Sequence, residues 1–230
     1  MPSPAAWRSR LEPLLDLVFP TRCVGCGAPG AVWCDACRAR LVPVASQVCL
    51  ACRRELPADA PGDRCGPMAP RAWAAAAYRP PLDRAITHLK YHPDKRLAMV
   101  LAESIADVWR RHRLAGSVVV PVPLSRGRER QRGYNQSELL GRALARLLGL
   151  PILPLAILRI RETGSQVGLE AGDRWINVEG AFAADSSLVR DETVLLIDDV
   201  HTTGATLAAC SQALAQAGAR RVLGLTVGRA

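Results

Sequence analysis

The sequence has few aromatic residues and no long apolar run. Aromatic side chains make up only 4% of the 230 residues, which leaves little material for surfaces that stack nucleic-acid bases. No apolar stretch approaches the roughly 20 residues that a membrane-spanning helix needs. The first residues also lack the apolar core and small-residue cleavage site of a secretion signal. We therefore expect a cytoplasmic protein.

Acidic residues are in the minority. The chain has 30 Lys and Arg against 21 Asp and Glu, and its formal net charge is +9. This balance favours anionic partners, which include phosphorylated small molecules, nucleic acid and acidic membrane surfaces. Apolar residues account for 49%, enough for a hydrophobic core. The length suits one α/β domain with a small additional module.

Cysteine is concentrated in one part of the chain. Seven of the eight cysteines lie within residues 22–68, and in a reducing cytosol such clusters indicate metal rather than disulfides. Two Cys-x-x-Cys pairs, seven residues apart, have the spacing of a zinc ribbon with a structural zinc ion. They are Cys23, Cys26, Cys34 and Cys37.

The second cysteine set is incomplete. Cys49 and Cys52 form a regular pair, but the expected partner pair reads Cys65-Gly66-Pro67-Met68. The thioether of Met68 is a poor zinc ligand and suits Cu(I) better. Either three thiolates bind zinc with a borrowed fourth ligand, or the metal has been lost and a loop remains. The sequence favours loss, which leaves a double ribbon over 22–68 with a degenerate second half and a single zinc ion.

Residues 1–21 contain a predicted amphipathic helix. Its apolar side chains, from Trp7 to Val18, share one broad face. Packing against the rest of the protein is the favoured interpretation, and peripheral contact with a membrane surface is the alternative.

From about residue 70 the pattern becomes an alternation of strands and helices. Strands are predicted over 73–78, 118–120, 152–158, 194–197 and 222–227, with helices over 80–89, 97–108, 139–148 and 207–217 between them. The alternation predicts an α/β domain over 70–230 with a mostly parallel sheet. Cys210 lies on the apolar stripe of the last helix, so we predict a core residue rather than a ligand.

The most informative stretch is Val194–Thr206. Four apolar residues predict a strand buried on both faces, and Asp198 and Asp199 follow at its end. A hydroxyl- and glycine-rich turn then leads into a helix, whose N-terminal N–H groups can bind phosphate. We expect the two acids to accept hydrogen bonds from neighbouring ribose hydroxyls. The residues predicted to bind the sugar phosphate are Val200, Thr202, Thr203, Gly204, Ala205 and Thr206.

This stretch resembles the phosphoribosyl pyrophosphate (PRPP) motif of type I phosphoribosyltransferases. The alternatives are an ordinary strand–turn–helix with surface acids and the acidic pocket of a receiver domain. The receiver pocket leaves the run Thr202–Thr206 unexplained. His201 lies inside the motif, where we expect a spacer rather than a catalytic residue.

A basic stretch follows the strand at 118–120. Arginines occupy every second position from Arg126 to Arg132, in a predicted loop, and guanidinium groups bind phosphate oxygens bidentately. A solvated basic loop is the alternative, but the carboxyl end of a strand in the same sheet favours phosphate binding. The residues that leave the strand are Pro121, Val122, Pro123, Leu124 and Ser125.

A long polar connection runs from Arg159 to Phe182. Such connections in compact domains are often lids over a functional site. We therefore expect this segment to close over a bound substrate.

In their order along the chain, these stretches are similar to the ComF family of competence proteins, which fuses a double zinc ribbon to a phosphoribosyltransferase-like domain. The resemblance covers roughly residues 14–228 and departs from the family pattern at Met68. Its segments are the cysteine pairs, Leu89-Lys90-Tyr91, Val120–Leu124, Arg132–Gln136, the Arg159–Asn177 pattern and the acidic motif.

The resemblance implies a site for PRPP. Asp198 and Asp199 would be the catalytic acids on the ribose hydroxyls, and the turn to Thr206 would wrap the 5′-phosphate. Mg²⁺ would bridge pyrophosphate oxygens and ribose hydroxyls. The pyrophosphate would lie against the loop 121–125 with Arg126, Arg132 and Lys90, under a closing segment that contains Arg159, Arg161 and Gln166.

Two functions follow from the resemblance. The first is a transferase that moves the phosphoribosyl group from PRPP to an unknown base or amine. The second is a non-catalytic PRPP-binding factor that contacts single-stranded DNA and DNA-uptake proteins.

Overall fold

The computed structural model describes residues 20–57, 65–66, 68–161, 178 and 180–230. The predicted N-terminal helix lies outside the described residues, as does most of the predicted lid, including Gln166. Within the described ranges, no helix combines the length and the apolar character that crossing a membrane requires. The described elements, in chain order, are α1 (Asp35–Ala39), β1 (Ser46–Cys49), β2 (Glu55–Pro57), β3 (Arg71–Ala77), α2 (Leu82–Tyr91), α3 (Lys95–Arg111), β4 (Val118–Pro121), α4 (Arg126–Arg132), α5 (Gln136–Leu148), β5 (Ile157–Arg159), β6 (Phe182–Ala184), α6 (Ser186–Val189), β7 (Thr193–His201), α7 (Ala205–Gln216) and β8 (Arg221–Arg229).

A six-stranded sheet in the order β2-β1-β3-β8-β7-β4 organises the molecule. The four strands from β3 to β4 are parallel, which confirms the predicted mostly parallel sheet. Strands β1 and β2 extend it antiparallel at one edge. Because these two strands come from the cysteine-rich region, the sheet continues across the predicted boundary near residues 68–70.

Strand β7 is buried on both faces, as its apolar run predicts. Leu195 and Ile197 belong to the core under helices α2, α3 and α5. Val194 and Leu196 belong to a second core under helix α7. This alternation follows from the two-residue period of a strand. Cys210 is fully buried in the second core, which confirms that prediction.

The predicted strand at 152–158 was wrong in its position. Ile152 forms an isolated bridge to Val119, and the strand itself begins later, as β5, in a separate two-stranded sheet with β6. Pro151 and Pro154 flank the bridge. Because proline has no backbone N–H, it interrupts a hydrogen-bonded ladder there.

The predicted arginine loop was also wrong, since residues Arg126–Arg132 form helix α4. Ser125 caps the helix by accepting the Arg128 N–H at 3.3 Å. Gly133 ends it with a left-handed φ of 74°. Arginine is a good helix former, so the cap and the terminal glycine are enough to make a short helix.

Candidate functional site

A polar cleft of about 400 Å³ opens where strands β4 and β7 end. Because neighbouring parallel strands end at the same edge of a sheet, residues from two distant parts of the chain meet there. The volume lies in the usual range of small-ligand sites. The predicted site residues that line the cleft are Lys90, Val122, Pro123, Leu124, Ser125, Arg132, Arg159, Asp198, Asp199, Val200 and Thr206.

The other predicted site residues that the structure describes are not among the residues that line the cleft. Pro121 and Ala205 are buried, as is Gly204, whereas Arg126 and Arg161 are exposed. Thr202 and Thr203 lie in the turn between β7 and α7.

The two acids are held by different partners. Asp198 Oδ1 accepts the Ser137 hydroxyl at 2.7 Å and the Asp199 N–H at 2.9 Å. Asp199 Oδ2 lies 3.1 Å from Nζ of Lys90. Burial, together with the neighbouring charge of Asp199, raises the pKa of Asp198 to about 8. Asp198 therefore takes up a proton more readily than a free carboxyl group, and the Lys90 side chain pairs with Asp199.

The turn after β7 brings a helix N-terminus to the cleft. Gly204 precedes α7 with a left-handed φ of 77°, a conformation that glycine adopts without the steric penalty of a side chain. The Thr203 hydroxyl accepts the Ala205 N–H at 3.4 Å, and Thr206 lines the cleft. The N–H groups of the first helical turn have no partners within the helix, so they can bind an anion.

Cationic side chains also line the cleft. Arg132 donates to Gln136 Oε1 at 2.7 Å, and its guanidinium lies 5.9 Å from the centre of the Tyr91 ring. The Arg159 guanidinium lies 5.5 Å from the centre of the Phe182 ring. These contacts hold the two guanidinium groups in place. With Lys90 and Arg128, the described lining has four cations against two acids, which suits a polyanion that also carries hydroxyl groups.

Sequence reasoning missed several residues of the cleft. Gly127, Gln131 and Gln136 line it together with Arg128, which was predicted as one of the phosphate-binding arginines, and Ser137 holds Asp198. In a helix, residues three and four apart share a face, so helix α4 turns Gly127, Arg128, Gln131 and Arg132 together. The Ser125 and Gly133 termini were the signal for that helix.

His201 is not among the residues that line the cleft. It is buried, and its Nδ1 lies 2.9 Å from the Thr226 hydroxyl. Burial lowers the pKa of His201 to about 4, with a smaller effect from Arg229. The ring is therefore neutral, in agreement with the predicted spacer role.

Two groups of cysteines converge. The sulfur atoms of each group lie within 4.8 Å of one another, a separation that lets thiolates share one zinc ion and supports structural zinc. The first cluster is Cys23, Cys26, Cys34 and Cys37, and the second cluster is Cys49, Cys52 and Cys65. Met68 is 54% exposed.

The first cluster is packed on helix α2. A Cβ atom added to Gly25 would lie 2.9 Å from the Trp33 ring and 3.1 Å from Pro81. Arg84 of helix α2 donates to the Gly25 carbonyl at 2.8 Å. The first cluster thereby supports the helix that carries Lys90.

Residues 14–68 match the family model of the double zinc ribbon domain, and residues 135–227 match the phosphoribosyl transferase domain. Over 221 residues the chain is 34% identical to the DNA utilization protein YhgH of Salmonella typhi, which covers 90% of this chain and 96% of that protein. It is 36% identical over 152 residues to competence protein F of Haemophilus influenzae, which covers 63% of this chain and 66% of that protein.

A solved structure with a similar chain is the glutamine PRPP amidotransferase from B. subtilis, complexed with ADP and GMP. The TM-score is 0.41 at 18% identity, over 61% of this chain and 30% of that chain. At this level of similarity the match says nothing about function.

Proposed function

Because this chain belongs to the ComF family of competence proteins, we propose that its phosphoribosyltransferase-like domain binds PRPP and transfers the phosphoribosyl group to a base or amine. The observation that carries the proposal is the cleft itself. Two acids, four cations and a helix N-terminus face one space at the ends of β4 and β7. We expect the protein to act in the cytoplasm.

The ribose of PRPP would lie over the acid pair. Asp199 is paired with Lys90, and Asp198 is held by Ser137. The carboxyl oxygens of these two neighbouring residues can accept hydrogen bonds from the two neighbouring ribose hydroxyls.

The phosphates would lie at the two ends of the cleft. The 5′-phosphate fits the N–H groups and hydroxyls at the start of α7. The pyrophosphate fits the loop after β4, between Lys90, Arg128 and Arg132. As the bond to pyrophosphate breaks, positive charge grows on the ribose ring and negative charge on the leaving group. Carboxylate and guanidinium groups fixed beforehand stabilise both charges.

Magnesium fits this arrangement as part of the bound substrate. Mg²⁺ prefers substrate phosphate oxygens, water and one or two carboxylates. Asp198 and Asp199 would hold Mg²⁺ together with the substrate, and the ion would supply positive charge that neutralises part of the charge of the leaving group.

Calorimetric titration of PRPP with Mg²⁺ tests the site. We expect binding by the wild type and its loss in the double variant Asp198→Asn, Asp199→Asn, because both ribose contacts are altered. Asp107→Asn is a matched control, since Asp107 is exposed and pairs only with Arg110 among the described ion pairs. No binding by a folded, zinc-loaded wild type would overturn the proposal.

Turnover is tested separately from binding. We expect pyrophosphate release from PRPP to rise with one base or amine from a panel, and to be lost in the double variant. Binding without release for any acceptor would favour the non-catalytic alternative.

The non-catalytic alternative is a PRPP-binding factor that also contacts single-stranded DNA and DNA-uptake proteins. The exposed side chains of Arg126, Arg128 and Arg130 on helix α4 favour it, because exposed arginines can bind the phosphates of a nucleic-acid backbone. A steep fall of DNA affinity with salt would support it. The triple substitution of these arginines by glutamine should then flatten that salt dependence.

A further inference from the structure

We propose that the second cluster is a three-thiolate metal site whose occupancy sets the position of the sugar-phosphate turn at Gly204. Such a metal ion would regulate PRPP binding in the cleft, and the inference therefore rests on the proposed function. It replaces the expectation from the sequence that this metal has been lost.

The geometry at the second cluster fits a metal ion. Its three sulfur atoms lie within 4.8 Å of one another. The Arg53 N–H donates to the Cys49 carbonyl at 2.8 Å, and the Cys49 N–H donates to the Arg54 carbonyl at 2.9 Å. These bonds close the backbone around the pair Cys49 and Cys52. A cluster that had lost its function would have no need for the third thiol, Cys65, to converge on this pair.

The charge of the surroundings also fits. Three thiolates with one divalent ion carry a net charge of −1. Arg71 is 4% exposed and stands opposite Cys49 in the sheet. Its guanidinium donates to the carbonyl of Gly66, the neighbour of Cys65, at 3.4 Å. A buried guanidinium beside this cluster compensates its negative charge.

The ligand set makes this metal exchangeable. Zinc prefers four ligands, and structural sites use four from the protein. Met68 offers only a thioether and is 54% exposed. Among the described residues no fourth protein ligand joins the three thiols, and we assign the fourth position to a small molecule such as water or a thiol. We expect a chelator to remove this zinc ion faster than the ion of the first cluster.

Leu50 connects the second cluster to the cleft. It stands between two ligands, Cys49 and Cys52, and is 3% exposed. A Cβ atom added to Gly204 would lie 3.1 Å from Leu50 Cδ2. Leu50 also shares a second cavity with Ala205 and Ala208 of helix α7. A change in the metal-bound backbone therefore moves a side chain that rests on the phosphate-binding turn.

The test measures zinc content and PRPP affinity in the same preparations. We expect two zinc ions in the wild type, of which Cys65→Ser loses one. PRPP affinity should fall about fivefold or more in that variant, within the usual range of coupling between two sites. Coupling is reciprocal, so PRPP should slow zinc loss from the wild type.

Further variants distinguish the effect of the second zinc ion from the effect of the contact between Leu50 and the turn at Gly204. Met68→Cys supplies a fourth thiolate and should make the second zinc ion resistant to chelator without weakening PRPP binding. Met68→Ala should leave zinc content and PRPP affinity unchanged. Leu50→Ala should keep both zinc ions but make PRPP affinity independent of the second one. Leu50→Met is the milder substitute if Leu50→Ala does not fold.

Two results would overturn the inference. One is a single zinc ion in the wild type that Cys65→Ser does not change. The other is a loss of zinc in Cys65→Ser with unchanged PRPP affinity. A wild type that holds two zinc ions and binds no PRPP would instead overturn the proposed function and leave the metal assignment standing.

Discussion

The two cysteine clusters differ in what they support. The first cluster has four thiols and packs on helix α2 through Gly25 and Arg84. The second cluster has three thiols, and its flanking strands β1 and β2 belong to the main sheet. The first therefore depends on its metal for its structure, whereas the second has hydrogen-bonded strands to hold it.

This difference explains why an incomplete ligand set is tolerated at one position only. Strand β1 pairs with β3 over Gln47 to Cys49. Arg229 of the C-terminal strand β8 reaches Glu55 of β2 at 2.7 Å. These contacts keep the β1–β2 hairpin attached when its metal is absent. A site freed from its structural role can exchange its metal, and such exchange is what a regulatory site requires.

The largest expected effect is a difference in thermal stability between a ligand variant of the first cluster and one of the second cluster. Cys37→Ser removes a buried ligand of the first cluster, where the metal supplies folding energy. A loss of about 4 kcal/mol lowers Tm by roughly 10 °C in a chain of this size. Cys65→Ser should lower Tm by only a few degrees. Thermal unfolding with zinc analysis measures both, and equal losses of Tm would remove the distinction.

A smaller effect is expected from two glycines, one at each cluster. A Cβ atom at Gly25 would lie 2.8 Å from Cys37 Sγ, and overpacking of this kind costs about 1–3 kcal/mol. Gly25→Ala should therefore lower Tm by several degrees while PRPP affinity stays nearly constant.

Gly204→Ala forces alanine into a left-handed φ of 77° beside Leu50, which costs about 1–2 kcal/mol.

For Gly204→Ala we expect a roughly tenfold weaker PRPP affinity, which is about 1.4 kcal/mol, and a smaller change in Tm. Calorimetry and thermal unfolding of both variants measure the two effects. If Gly25→Ala weakened PRPP binding as much as Gly204→Ala, the first cluster would also control the cleft.

The acidic half of the cleft was predictable because it is local in the sequence. The strand, Asp198, Asp199 and the glycine turn all lie in one stretch, so hydrophobic pattern and turn chemistry suffice. The basic half was predicted only in part. The arginines were recognised as phosphate-binding residues. Helix α4, which places Arg128 in the cleft lining, was not predicted, because that helix depends on its cap at Ser125.

Contacts between distant segments could not be read from any local pattern. Lys90 meets Asp199, and Ser137 meets Asp198, because the sheet brings α2, α5 and β7 together. Leu50 meets Gly204 because β1 joins the same sheet. Each of these pairs forms because tertiary packing brings two distant segments together. The apolar periodicity of the sequence predicts helices and strands, but it does not predict which of them pack against each other.

The smallest expected effect concerns pH and the hairpin of the second cluster. The Arg229 guanidinium, and to a lesser extent the Ser46 hydroxyl, lower the pKa of Glu55 to about 2. Because the folded pKa lies below the unfolded value, the pair stabilises the protein above about pH 4.5. That contribution is lost as pH falls toward 2. Glu55 is 57% exposed, so the contribution is at most about 1 kcal/mol.

Glu55→Gln should therefore lower Tm by about 2–4 °C at pH 7, and the difference from the wild type should shrink as pH falls below 4.5. Glu103→Gln is the matched variant at the first cluster, where Glu103 pairs with Arg38 at 3.0 Å. Its pair has one contact rather than several, so its effect should be smaller. Thermal unfolding between pH 7 and pH 2 compares the two variants. A Glu55→Gln effect on Tm that is as large at pH 2 as at pH 7 would show that the charge of Glu55 does not hold the hairpin.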